Sequence, residues 1–191
     1  MANLQAAVRA LAPGSTGPGA LCSKLNEVLC GSIAPGKFVT LFYGVMDSER
    51  LILHFENAGH SLPIVLRGDE VRILTEGGTV LWMFPKSAYA DREFALRPGD
   101  CLLLTTDGVT EAADELDEEF GNERVIASAR AARSLGAQGI RTRILDDVTR
   151  FCKGNFLDDA SLIVVTADQG DAAHLPGLAP LPATVADPAG W

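Results

Sequence analysis

The sequence predicts an α+β domain in which mostly antiparallel strands are covered by helices. Two pairs of segments rich in β-branched and aromatic residues, 37–46 with 50–57 and 63–67 with 70–74, are each joined by a short polar or glycine-containing turn. Such pairs are typical of β-hairpins. Segments with apolar residues at helical spacing precede and follow these strands, so we expect helices to pack on the sheet.

Two helices are predicted before the first hairpin. Residues 1–11 carry apolar side chains at helical spacing, and the breaker cluster 13–19 separates them from a second helix that ends near Gly31. The first segment lacks the basic start and continuous apolar stretch of a signal peptide.

The second half of the chain alternates apolar strands with amphipathic helices. Residues 75–90 are predicted to form a loop, and a Pro-Gly turn then leads into the nearly continuous apolar run 101–106, which is typical of a central strand buried on both faces. Helices are predicted around 123–134 and 140–151, and 161–166 forms another apolar strand. The ordered domain therefore spans 1–167, and 168–191, which has no periodicity, is predicted to be a disordered tail.

Composition excludes several classes of function. The 191 residues include 47% hydrophobic and 21% charged residues, with 16 basic and 25 acidic side chains and a net charge of −9. This charge argues against nucleic acid or an anionic membrane as partner, and no apolar segment is long enough to span a bilayer. The four cysteines form no C-x-x-C pair, so we expect reduced thiols, no zinc and a cytoplasmic protein.

Acidic residues stand at the ends of the two most apolar strands. Asp107-Gly108 follows the run 101–106, and Asp158-Asp159 precedes 161–166. If these strands are antiparallel neighbours, the acids share one end of the sheet. Neither cluster has a Lys or Arg within four residues, so a cation such as Mg²⁺ or Mn²⁺ would relieve their repulsion. Each motif alone is also compatible with a simple turn or a solvated cap.

Other candidate sites are weaker. The acidic run 111–119 lacks the alternating pattern of a calcium-binding loop and is interpreted as solvated surface. Among the histidines, His54 falls in a strand and His174 in the tail. His60 follows Asn57 in a loop between strands, where it is either a local turn residue or a functional one.

Four segments taken together resemble the bacterial type 2C-like serine/threonine phosphatases of the stage II sporulation protein E and sigma-factor-regulator group. They are KFVTLFYGVMD, the motif NAGH at 57–60, FALRPGDCLLLTTDGVTEA and LDDASLIVV, in the order and approximate spacing of that family. The resemblance covers Met1 to about Ala167.

The resemblance implies two stacked antiparallel sheets flanked by helices, with two Mn²⁺ or Mg²⁺ ions at one end of the sandwich. The metal-binding aspartates of the family fall on Asp107 and Asp158. Gly108 and Asp159 lie beside them, and Asn57 and His60 belong to a loop near that end, without an assigned chemical step. No catalytic residue is assigned.

The resemblance also implies a function: metal-dependent hydrolysis of phosphoserine or phosphothreonine on a regulatory protein of the anti-sigma-factor-antagonist type. The family's early G-D-x-x-G-x-G segment, which supplies a bridging aspartate, is absent from the sequence. We therefore expect an N-terminally truncated domain with its first strands missing and a sheet edge open to a second copy. The alternative is a catalytically impaired, phosphatase-like interaction module.

Overall fold

A computed structural model describes residues 2–30 and 37–167. Its strands form two antiparallel sheets, one with the order β1-β2-β5 and the other with the order β4-β3-β6-β7. The strands are β1 (Leu41–Asp47), β2 (Ile52–Ala58), β3 (Ile64–Arg67), β4 (Glu70–Ile73), β5 (Arg92–Ala95), β6 (Cys101–Thr105) and β7 (Leu162–Thr166). The helices are α1 (Ala2–Leu11), α2 (Pro18–Leu29), α3 (Asp107–Thr110), α4 (Gly121–Ala131) and α5 (Gly136–Phe151).

Both predicted hairpins are confirmed. Strands β1 and β2 pair from Leu41 opposite Ala58 to Asp47 opposite Ile52. In the turn between them, the Asp47 carboxylate accepts hydrogen bonds from the backbone N–H groups of Glu49, at 3.1 Å, and Arg50, at 2.9 Å. Strands β3 and β4 are joined by the two-residue turn at Gly68, whose φ of 59° favours glycine.

Several element boundaries differ from the sequence prediction. Strand β1 begins at Leu41 rather than at residue 37, and β5, which the sequence analysis leaves unassigned, pairs with β2. The helix predicted around 123–134 ends at Ala131, and α5 begins at Gly136 rather than near 140. Gly136 has a φ of 67°, a conformation that separates the short 3-10 turn before it from α5.

Four layers result from the burial of apolar faces. Phe55 and Leu53 of one sheet pack against Val65 and Leu102 of the other, which stacks the two sheets face to face. Helices α4 and α5 cover the outer face of the four-stranded sheet, where Ile144 is fully buried. Helices α1 and α2 cover the outer face of the three-stranded sheet through residues that include Leu21 and Leu25. This is the α+β arrangement that the resemblance implies.

The central position of β6 is confirmed by its neighbours β3 and β7. Cys101, Leu102 and Leu103 are each at most 2% exposed, as expected of a strand buried on both faces. All four cysteines are free, and burial raises the pKa of the Cys101 thiol to about 11. Cys101 therefore acts as a small apolar core residue.

One edge of the three-stranded sheet has no partner strand in the described part of the chain. Strand β1 pairs with β2 on one side only, and Val45 on β1 is 47% exposed. Within residues 2–30 and 37–167, no helix is long and apolar enough to cross a membrane. The segment 168–191, predicted to be a tail, lies outside the described residues.

Glu56 is an acidic residue buried between α2 and the three-stranded sheet. Its side chain is 0% exposed, and its Oε2 is 3.4 Å from the donating N–H of Ala90 and 3.9 Å from Arg92 Nε. No group in the described ranges hydrogen-bonds to Oε1. Burial raises the pKa of Glu56, and the Ala90 N–H and the Arg92 charge oppose that effect only in part. The charged form therefore destabilises the folded domain.

Glu56→Gln should raise the free energy of unfolding by about 1 kcal/mol at neutral pH, because it removes a desolvated charge. The folded-state pKa lies above the unfolded value, so wild-type stability is highest below the ordinary glutamate pKa and decreases as the pH rises through the raised pKa. Urea denaturation between pH 5 and 8 should show the variant's advantage shrinking as the pH falls. The exposed Glu49→Gln is the control, and a Glu56→Gln advantage independent of pH would contradict this account.

Candidate metal centre

The pairing of β6 with β7 determines where the predicted acidic residues lie. The two strands are antiparallel, with Cys101 opposite Thr166 and Thr105 opposite Leu162. Asp107 follows the end of β6, and Asp158 and Asp159 precede the start of β7. The prediction that the two apolar strands are neighbours is therefore confirmed, and both acidic segments lie at the same end of the four-stranded sheet.

Hydrogen bonds of Thr106 connect the two acidic segments. Its backbone N–H donates to the Ser161 carbonyl at 3.0 Å, and its Oγ1 accepts the Ser161 N–H at 2.8 Å. The same hydroxyl donates to the Asp159 carbonyl at 2.9 Å. One side chain thus fixes the strand end that leads to Asp107 against the turn that carries Asp158. Thr106 is not among the site residues predicted from sequence, although its position directly before Asp107 is a usable signal.

Gly108 allows a close approach of the two backbones. A Cβ at this position would lie 2.6 Å from the carbonyl oxygen of Asp159 and 3.0 Å from that of Asp158. Any larger residue would push the one-turn helix α3 away from the Asp158-Asp159 turn. The backbone of Gly108 is helical, a conformation that any residue can adopt, so backbone conformation does not require glycine here. The close packing against the Asp158-Asp159 turn does.

The carboxylates of Asp107 and Asp158 have the same local arrangement. Oδ1 of Asp107 accepts the N–H of Gly108 at 2.9 Å, and Oδ1 of Asp158 accepts the N–H of Asp159 at 2.7 Å. Over residues 2–30 and 37–167, neither Oδ2 has a hydrogen-bond partner, and no Lys or Arg forms an ion pair with Asp107, Asp158 or Asp159. Unpaired carboxylate oxygens are ligands that suit Mg²⁺ or Mn²⁺.

This donor set fits a divalent cation only as part of a larger ligand shell. Among the described residues, no group of three or more His, Cys, Asp or Glu side chains is arranged to hold a metal ion. Two carboxylates leave most of the six positions of a Mg²⁺ or Mn²⁺ ion to water, substrate or other protein groups. The carboxylates of Asp107 and Asp158 are therefore suitable ligands for Mg²⁺ or Mn²⁺, but two of them are too few to complete the coordination of an ion.

The loop from Asn57 to His60 is built around a buried amide. Asn57 is 2% exposed, and its Oδ1 accepts the His60 N–H at 2.7 Å while its Nδ2 donates to the His60 carbonyl at 3.0 Å. Gly59 has a φ of 73°, and a Cβ there would lie 2.5 Å from the side chain of Val80. Asn57 and Gly59 are thus local structural residues that hold His60 in position.

His60 lies within electrostatic reach of the acidic end of the sheet. Burial lowers the pKa of His60, and the negative charge of Asp107 opposes this effect. The His60 Nδ1 is 3.3 Å from Oγ1 of Thr40, a residue that the sequence analysis did not single out. Strand β3 pairs antiparallel with β6, with Ile64 opposite Leu103, so the Asn57–His60 loop before β3 and Asp107 after β6 lie at the same end of the sheet. His54, in contrast, pairs with Glu93 at 3.1 Å on the face of the other sheet that α2 covers.

A cavity of about 200 Å³ opens beside Asp158. It is lined by Gly108, Glu111, Ala112, Ala113, Asp117, Glu119, Leu157 and Asp158. The acidic run 111–119, interpreted from sequence as solvated surface, is indeed exposed at Glu111 and from Glu115 to Glu119. Its position next to Asp158 could not be inferred from the sequence pattern.

Comparison with known proteins connects this geometry to one family. The family model described as stage II sporulation protein E (SpoIIE) matches residues 1–168. Protein IcfG of Synechocystis sp. is 31% identical over 134 residues, which cover 67% of this chain and 20% of IcfG. The chain thus spans about a fifth of the length of this curated relative.

Solved structures share the fold. The structure of the PP2C phosphatase domain and a fragment of the regulatory domain of SpoIIE from Bacillus subtilis has a TM-score of 0.72 at 17% identity, over 85% of this chain and 48% of that one. The structure of the RsbU and RsbW domains of Rv1364c from Mycobacterium tuberculosis has a TM-score of 0.67 at 19% sequence identity, and the match covers 88% of this chain and 47% of that one. The catalytic domain of the serine/threonine protein phosphatase PstP, solved in complex with two manganese ions, has a TM-score of 0.60 at 15% sequence identity. That match covers 84% of this chain and 77% of the PstP chain. At these identities the likeness establishes the fold.

Proposed function

Because this chain belongs to the stage II sporulation protein E family of PP2C-type phosphatase domains, we propose that it is a metal-dependent protein serine/threonine phosphatase in bacterial signalling. The observation that carries the proposal is the junction of β6 and β7, where Asp107 and Asp158 each keep one carboxylate oxygen without a hydrogen-bond partner in the described ranges. A ligand of positive charge would compensate this arrangement.

In this proposal Asp107 and Asp158 hold Mn²⁺ or Mg²⁺, and Asp159 and Gly108 position them through the turn and the close backbone contact. A bound divalent ion supplies charge neutralisation for the phosphate and an activated water. Thr106 keeps the two aspartates in register. The Asn57 amide fixes His60 near Asp107, where the imidazole can contact the phosphoryl group of a substrate.

The proposed substrate is a phosphorylated regulatory protein of the anti-sigma-factor-antagonist type. Support comes from the likeness to a protein that contains RsbU and RsbW domains and from membership of the SpoIIE family. The net charge of −9 disfavours nucleic acid and anionic membranes as partners.

The experiment is phosphate release from a phosphoserine peptide by the 191-residue chain, with and without Mn²⁺. We expect weak turnover that requires the ion and is removed by a chelator, because the described residues supply few metal ligands. Turnover that is equally fast after chelation would contradict a metal-dependent mechanism.

The second candidate is a catalytically impaired interaction module, and it is favoured by the small number of metal ligands in the described residues. In that case the chain would bind its phosphoprotein partner without releasing phosphate. The open edge of β1 would offer a surface for a partner or a second copy. Binding without phosphate release at any Mn²⁺ concentration would favour this candidate over the phosphatase.

A further inference from the structure

The cavity beside Asp158 lies between two segments that the fold holds together. One is the loop 111–119, and the other is the segment 156–158 before β7. Lys153, which lies between the end of α5 and the second segment, forms an ion pair with Glu115 of the loop at 2.6 Å. We call the cavity and these flanking residues the rim groove.

Two leucines at the rim groove are almost fully exposed. Leu157, which lines the cavity directly before Asp158, is 85% exposed, and Leu116, in the opposite loop, is 86% exposed. These are the highest exposures among the large apolar side chains of the described residues. Phe156, at 37%, adds a third apolar side chain on the same segment as Leu157. Leu157 lines the cavity itself, and Leu116 and Phe156 lie in the two segments that contribute its lining. Exposed apolar side chains in segments that line a cavity indicate an interaction surface.

The charge of the rim groove is negative and only partly compensated. The loop 111–119 contains six acidic residues and no Lys or Arg. Glu115 pairs with Lys153, and Glu118 pairs with Arg124. Asp114 uses its carboxylate to accept backbone N–H groups within the loop.

The remaining acids of the loop are Glu111, Asp117 and Glu119. All three line the cavity, and none has an ion-pair partner in the described part of the chain. A ligand that enters the groove therefore meets uncompensated negative charge next to exposed leucines.

We propose that the rim groove docks the segment that flanks the phosphorylated residue of the substrate protein, and that this segment carries Lys or Arg together with an aliphatic side chain. The proposal rests on the proposed function and specifies its substrate class. Charge complementarity favours this occupant, because a phosphate group alone is repelled by the acidic loop and a neighbouring cationic side chain offsets that repulsion. The aliphatic side chain packs against Leu157, which lines the cavity, and Leu116 in the loop 111–119 enlarges the exposed apolar surface beside it.

The test is binding of three labelled phosphoserine peptides of equal length to the full chain, measured by fluorescence anisotropy without added metal, so that no turnover is required. The first peptide has two lysines and a leucine beside the phosphoserine. The second has two aspartates and the leucine, and the third has the lysines and a serine. We expect the first to bind at least about tenfold more tightly than the second and several-fold more tightly than the third.

Variants locate the effect. Glu111→Gln combined with Glu119→Gln should remove most of the preference for lysine, and Leu116→Ser combined with Leu157→Ser should remove the preference for leucine. The matched controls are Glu49→Gln and Leu135→Ser, which change an exposed acid and a 67% exposed leucine outside the groove. Raising the salt concentration should weaken the lysine preference and leave the leucine preference intact.

The outcomes separate this inference from the proposed function. A lysine and leucine preference without any phosphate release in Mn²⁺ would support the docking surface and reject the phosphatase. Phosphate release with equal affinity for all three peptides would support the phosphatase and overturn the docking surface. Groove variants that alter only the sedimentation coefficient of the chain would assign the surface to a second copy and also overturn the inference.

Discussion

Asp107→Asn or Asp158→Asn should abolish the thermal stabilisation that Mn²⁺ gives to the chain and reduce Mn²⁺-dependent phosphate release by at least about 100-fold. Asparagine keeps the oxygen that accepts the neighbouring N–H, from Gly108 or Asp159, so the turn itself is preserved. The variant therefore removes one negative charge from a centre held by few ligands. Loss of partners outside the ligand shell already costs 10- to 100-fold in metal affinity, and loss of a ligand should cost at least as much.

The measurement is the melting temperature over a Mn²⁺ titration, together with phosphate release at saturating peptide. Asp69→Asn is the matched control, since Asp69 is exposed in the turn between β3 and β4. The control should keep the full Mn²⁺ response, because a bound ion stabilises the folded state only through its own ligands. An unchanged Mn²⁺-induced shift in both Asp107→Asn and Asp158→Asn would reject the assignment.

The position of Asp107 and Asp158 at one end of the sheet, where the metal centre is proposed, was predictable because it depends on two strong local signals. The continuous apolar runs 101–106 and 161–166 are recognisable as buried strands, and an antiparallel pair places the end of one beside the start of the other. The acids that follow and precede these runs then have to meet. The hairpins were predictable for a similar reason, since turn residues such as Gly68 interrupt the β-branched segments.

Other features depend on tertiary contacts that leave no local pattern. Strand β5 has only four residues, which is too short for a recognisable strand pattern in the sequence. It is stabilised by pairing with β2, a tertiary contact that the local sequence does not indicate. The division into two stacked sheets came from the family resemblance, because hairpin patterns do not specify which strands share a sheet. The burial of Glu56 contradicts the usual exposure of acidic residues and becomes visible only when α2 packs on the sheet.

A second large effect is expected at the buried ion pair between Arg67 and Asp100. Asp100 is 2% exposed, and its carboxylate is 2.6 Å from Arg67 Nη2 and 3.1 Å from Arg67 Nε. The same guanidinium donates to the Ala95 carbonyl at 2.9 Å and lies over the ring of Phe94. Arg67 ends β3 in one sheet, and both Phe94 and Ala95 belong to β5 in the other. The ion pair itself lies within the four-stranded sheet, between β3 and the turn before β6, and it holds the Arg67 guanidinium where it contacts β5 of the other sheet.

Asp100→Ala should lower the free energy of unfolding by about 3–5 kcal/mol, because it leaves the largely buried Arg67 charge without its counter-ion. The carboxylate also accepts the Arg97 N–H at 2.8 Å, and this turn before β6 would lose that bond. Urea denaturation at neutral pH measures the effect. Glu70→Ala is the control, since it breaks an ion pair with Arg72 in which both side chains are about half exposed, and surface pairs contribute at most about 1 kcal/mol. Equal losses in the two variants would show that Arg67 finds another partner or reaches solvent. A large loss for Asp100→Ala alone would show that the Arg67 charge depends on this buried counter-ion.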